Sequence, residues 1–120
     1  MNNYVDFSEL EGEILSKIVL KGDEEIVFST ESGKEYKMYH DQSCCENVYI
    51  EDIDGDLNEL LGSEIITAEE VTEEGDGDEY GGSSTWTFYK ICNDKTYITI
   101  RWLGESNGYY SESVDFIKVK

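Results

Sequence analysis

The chain has 120 residues, with 28 acidic side chains against 9 basic ones and a formal net charge of -19. That length suits a single domain over residues 1–120 that buries its own core, and nine tyrosines, four phenylalanines and two tryptophans are too many rings for a disordered chain. The charge argues against direct contact with nucleic acid or with an anionic membrane, because phosphates would be repelled rather than neutralised.

From the N-terminus, Ser8-Glu9-Leu10-Glu11 reads as a short helical turn. Residues 14–20, 25–29 and 35–40 read as a three-stranded meander, with turns at Lys21-Gly22-Asp23 and Ser32-Gly33-Lys34. Residues 47–53 form a further strand, with Val48 and Ile50 on one face and Tyr49 and Glu51 on the other. Asp56, with Glu59 three residues on and Gly62 behind, predicts a short helix opened by a capping box. Residues 65–71 read as a strand. Residues 72–84, rich in Gly, Glu and Asp, read as an acidic mobile loop.

The last third predicts a second meander over residues 85–92, 96–102 and 110–119. In its middle strand Ile98, Ile100 and Trp102 share a face, and Tyr97, Thr99 and Arg101 share the other. Cross-strand pairing is expected to add Trp86 and Phe88 to the first set. The expected fold is α+β, mostly antiparallel β-sheet of about six to seven strands, with one or two short helices.

The first residues lack a basic stretch followed by an apolar run, and no apolar run is long enough to span a bilayer. Three cysteines, two of them adjacent, fit a reducing compartment better than an exported scaffold. The expected location is the cytoplasm.

The charge is concentrated. Residues 41–83 hold fifteen acids and no Lys or Arg, whereas residues 84–120 hold four acids and five bases. Such a segment cannot neutralise itself. It points to an electronegative surface for a basic partner, although solubility alone would also account for it.

His40-Asp41-Gln42-Ser43-Cys44-Cys45-Glu46 gathers the only histidine and two of the three cysteines. A ligand- or metal-binding module centred on His40, Cys44 and Cys45, with Glu46, is the alternative function. The group lacks the Cys-x-x-Cys spacing of structural zinc sites, so no metal or other cofactor is expected. Asp52-Ile53-Asp54-Gly55-Asp56 opens like a calcium loop, but Leu57 and Ser63 stand where Gly and Glu are needed. With one histidine and no recognisable triad or phosphate loop, an enzyme is not expected. The stretch Arg101 to Ser111 gathers the Arg, Trp and Tyr residues that dominate binding hot spots, which makes Trp102, Tyr109 and Tyr110 candidate contacts.

The motif His40-Asp41-Gln42-x-Cys44-Cys45-Glu46, the run Thr85-Trp86-Thr87-Phe88-Tyr89, and Arg101-Trp102-x-Gly104-Glu105-Ser106-Asn107-Gly108-Tyr109-Tyr110-Ser111 resemble a family of small uncharacterised proteins from bacteriophages and bacterial mobile elements. The resemblance implies a phage-type accessory gene and transfers no catalytic residue. Such proteins often block host defence. The expectation is therefore an acidic, non-catalytic inhibitor of a host nucleic-acid-binding protein, a CRISPR effector nuclease being one such target, that works by mimicking nucleic acid. The residues expected to meet that partner are Asp52, Asp54, Asp56, Glu69, Glu70, Glu73, Glu74, Asp76, Asp78 and Glu79.

Overall fold

A computed structural model of the chain describes residues 3–42, 46–75, 82–107 and 111–120. The strands are β1 (Leu15–Lys21), β2 (Glu25–Thr30), β3 (Glu35–Tyr39), β4 (Asn47–Asp54), β5 (Thr67–Glu74), β6 (Ser83–Cys92), β7 (Tyr97–Ser106) and β8 (Asp115–Lys118). They form two four-stranded antiparallel sheets, β1-β2-β3-β8 and β4-β7-β6-β5. One apolar cluster contains the buried side chains of both sheets, so the sheets share a core.

The alternation that predicted the strands also determines what they bury. In β2, Ile26, Phe28 and Thr30 point inward; in β7, Ile98, Ile100, Trp102 and Gly104 do so. Trp102 is fully buried, and its indole N–H donates to Met38 Sδ on the opposite sheet at 3.2 Å. Phe7 lies against Tyr89 of one sheet, with ring centroids 4.8 Å apart, and against Phe116 of the other at 5.2 Å. A buried aromatic of this size is worth several kcal/mol to the fold, about 3–5 on truncation to Ala.

Four expectations need correction. The fold is mainly β, because the described residues contain no α-helix. The helical segments are two single 3-10 turns, Phe7–Leu10 and Leu57–Leu60. Asp56 does cap the second turn, but it accepts from the Asn58 N–H, the tightened geometry of a turn that ends after four residues. Gly55 just before it has φ +117°, and a Cβ there would sit 2.9 Å from Ile98 Cγ1, so only glycine fits.

Residues 72–74 and 83–84, expected in the acidic loop, lie in strands, while 76–81 are outside the described residues. Thr72, Glu73 and Glu74 continue β5 opposite Thr87, Trp86 and Thr85. At the other end, β5 starts at Thr67, because Ile65 pairs its backbone with Gly12 and Glu13 near the N-terminus.

The C-terminal strand does not complete a second meander. After β7 the chain crosses over, and β8 pairs with β3 in the first sheet. Its outer edge is covered by the N-terminal segment, through Val5 N–H to Phe116 O and Lys118 N–H to Asn3 O. The crossing is anchored by Glu112, whose carboxylate accepts hydroxyl hydrogen bonds from Ser83, Ser106 and Thr85. Burial pushes that carboxyl up, but the three hydroxyls outweigh it and hold it below the usual carboxylate range. Gly104 makes the close approach possible: a Cβ there would lie 2.5 Å from Glu112 O.

The fourth correction concerns Trp86 and Phe88. Trp86 pairs with Leu103 and Phe88 with Arg101, which puts both on the outer face rather than beside Ile98, Ile100 and Trp102. The register, with Tyr89 opposite Ile100, assigns the buried places of β6 to Thr87, Tyr89 and Ile91.

A carboxylate face on the second sheet

The outer face of the β4-β7-β6-β5 sheet carries acids along both edge strands. On β5, Glu69, Val71 and Glu73 stand opposite Lys90, Phe88 and Trp86 of β6. On β4, Asp52 and Asp54 stand opposite Arg101 and Thr99 of β7. The middle of the face is apolar. Trp86 and Phe88 stack with ring centroids 6.4 Å apart and an interplanar angle of 18°, and Leu103 lies between Trp86 and Tyr49 in the cross-strand row. All four are half-buried.

Two cations stand on this face, Arg101 and Lys90. Arg101 lies with its guanidinium carbon 5.6 Å from the Trp86 ring centroid, its Nε 2.5 Å from Glu51 Oε2 and its Nη2 3.6 Å from Asp52 Oδ2. Its pairing with Glu51 raises the Arg101 pKa above the usual guanidinium value, so it is charged at every accessible pH. Register places the last base, Lys90, opposite Glu69.

The predicted site residues separate into groups. Asp52, Asp54, Glu69 and Glu73 share this face, while Asp56 caps the turn that follows β4. Glu70 and Glu74 point the other way, opposite Tyr89 and Thr85. Burial raises the Glu70 carboxyl above the usual range, with the Tyr89 hydroxyl bond partly offsetting it. Glu70 also helps line a cleft beside the first 3-10 turn, together with Asp6, Phe7, Ser8, Ala68 and Glu69. Asp76, Asp78 and Glu79 lie outside the described residues, as do Tyr109 and Tyr110.

Trp102 is not a contact residue: it is fully enclosed in the core. The rings of this hairpin that reach the outer face are instead Trp86 and Phe88. The signal for this was present in the sequence. Once Ile98, Ile100 and Trp102 are assigned inward, an even run from Trp86 to Lys90 against Leu103 to Thr99 settles the other face. The hairpin register was the missing quantity.

The alternative group is only partly described, because Cys44 and Cys45 lie outside the described residues. His40 donates from Nδ1 to Ser113 O at 2.6 Å, and its Nε2 lies 3.6 Å from Glu46 Oε1 with both side chains buried. That pair ties the end of β3 to the segments before β4 and β8. Cys92, a half-buried thiol at the end of β6, stands opposite Tyr97 and Thr67. Among the described residues no three His, Cys, Asp or Glu side chains gather as metal ligands would. No helix among them is long and apolar enough to cross a membrane.

Searches of curated proteins and of solved structures returned no match. A family profile does match, over residues 8–116, which is nearly the whole chain. The chain therefore belongs to the family described as a domain of unknown function, DUF7448.

Proposed function

We propose that this chain is a non-catalytic acidic binding protein that occupies the cationic nucleic-acid groove of a partner protein and so blocks it. The observation that carries the reading is the placement of acids on both edge strands of one sheet. β5 and β4 are separated by two strands, three steps of about 4.8 Å, so their acidic rows run about 14 Å apart. That is close to the roughly 12 Å width of the major groove between phosphate backbones. A rigid sheet holds the carboxylates in place, so a Lys/Arg channel shaped for phosphates would meet them without ordering a flexible chain. The resemblance to phage and mobile-element proteins supports a host defence protein as the partner, a CRISPR effector nuclease among them, and hence action in the host cytoplasm.

The test is a pull-down from bacterial lysate at low salt, followed by elution with a DNA duplex. The expected result is a basic nucleic-acid-binding protein that is released by the duplex and lost at high salt. Retention that is indifferent to both salt and duplex would overturn the mimicry.

A second reading, a small ligand-binding module around His40, finds support only in the buried His40–Glu46 pair. Metal analysis of the purified chain and of Cys44→Ser separates it from the first.

A further inference from the structure

The carboxylate face already binds one arginine, its own. Arg101 combines three contacts: its guanidinium packs near the Trp86 ring, its Nε reaches Glu51, and its Nη2 approaches Asp52. An aromatic wall with carboxylates beside it is the environment a guanidinium selects over an ammonium. The planar cation stacks while its N–H fork remains free to meet oxygens.

The same aromatic pair has a second flank. Across β6, on the β5 side, Glu73 stands directly opposite Trp86, and Val71 opposite Phe88. Glu69 and Glu73 are both exposed, and neither has an ion pair among the described residues. This flank therefore repeats the rings and carboxylates around Arg101; Lys90 stands opposite Glu69 at its far end but forms no ion pair among the described residues, and no cation stands opposite Glu73. Trp86 and Phe88 remain only half-covered, an unusual placement for two large rings on the outer face of a sheet.

We propose that the β5 flank, made of Trp86, Phe88, Val71 and Glu73 with Glu69 beyond them, receives an arginine side chain of the partner protein. This rests on the preceding reading that the partner is basic, and it adds that recognition is of arginine rather than of positive charge in general. Charge selects this occupant. A second copy placed on the face would set Glu69 and Glu73 against like charges, whereas a guanidinium is attracted to both flanks.

Deca-arginine and deca-lysine peptides carry equal charge and test the claim by titration at low salt. The unmodified chain is expected to bind deca-arginine about two- to five-fold more tightly, the size of an exposed cation–π contact. Trp86→Leu combined with Phe88→Leu removes that preference and leaves salt-dependent binding of both peptides. Glu73→Gln weakens both. The unmodified chain gives a second readout that needs no variant. Trp102 is fully enclosed, so a change in tryptophan emission on adding deca-arginine, absent with deca-lysine, reports Trp86.

Equal affinity for the two peptides, or a preference that survives loss of both rings, overturns the arginine site while leaving the basic-partner reading intact. Failure of both peptides to bind at low salt overturns both.

Discussion

In the first sheet, lysines answer carboxylates. Lys21 lies 3.3 Å from Glu25, Lys37 lies 3.9 Å from the same residue, and Lys34 beside the sheet is 2.6 Å from Glu13. In the second sheet Arg101 alone plays that part among the described residues, and Glu69 and Glu73 of β5 are exposed with no ion pair among them. Exposed ion pairs such as those of the first sheet contribute little to stability, typically under about 1 kcal/mol. The difference is therefore not one of stability. The two sheets share a core and differ in what they present: a mixed surface on one, an anionic and aromatic surface on the other.

The largest expected effect comes from removing what the two sheets have in common. Trp102→Ala takes out the side chain that reaches Met38 across the core, and it should cost about 3–5 kcal/mol in denaturant unfolding. A loss under about 1 kcal/mol would mean that the sheets do not depend on this contact. Next is Gly104→Ala, which drives a methyl group into the Glu112 backbone where the chain leaves the second sheet for the first. Overpacking against backbone should cost about 1–3 kcal/mol. Glu112→Gln keeps the size but removes the charge that three hydroxyls serve, and about 1–2 kcal/mol should be lost. Thermal unfolding that matches the unmodified chain would show that the crossing is held by other contacts.

Titration should distinguish the compensated region from the uncompensated one. The hydrogen bond to Lys34 holds Glu13 below the usual carboxylate range, whereas burial holds Glu70 above it. Asp115 is also raised, by burial first, with His40 partly offsetting it. A group with a raised folded-state pKa gains a proton first in the folded state, so Glu70 and Asp115 add stability as pH falls toward the ordinary carboxylate range near 4. Glu13 and Glu112 act in the opposite sense. Their contribution is present above that range and is lost once pH falls through their depressed values. Unfolding free energy should therefore rise modestly on mild acidification from pH 7 and fall only below about pH 4. A monotonic fall from pH 7 would contradict these assignments.

Much of this was legible in the residues. Alternation located most strands, and the shared face of Ile98, Ile100 and Trp102 was read correctly from β7 alone, although Trp102 was also expected as a contact and Trp86 and Phe88 were placed on the wrong face of β6. What a strand pairs with is less local. Nothing within residues 110–119 says that β8 will leave its neighbour β7 and join β3, because that choice depends on the reach of the chain across the core and on Glu112 finding its three hydroxyls. Registry was the other hidden quantity. The hairpin between β6 and β7 decides which face receives Trp86, and a slip of one residue would have buried it. The acidic segment was read as one surface, yet pleating divides it: Glu69 and Glu73 reach the outer face while Glu70 turns toward Tyr89.

The most direct measurement compares two charge-matched variants against the partner recovered from lysate. Glu69→Gln with Glu73→Gln removes two charges from the second sheet, and Glu25→Gln with Glu35→Gln removes two from the first. Affinity is followed over rising salt. The account predicts that the second-sheet variant binds several-fold more weakly at low salt with a shallower salt dependence, while the first-sheet variant follows the unmodified chain. Equal losses in both variants would show that net charge, and not its placement on this face, is what the partner reads.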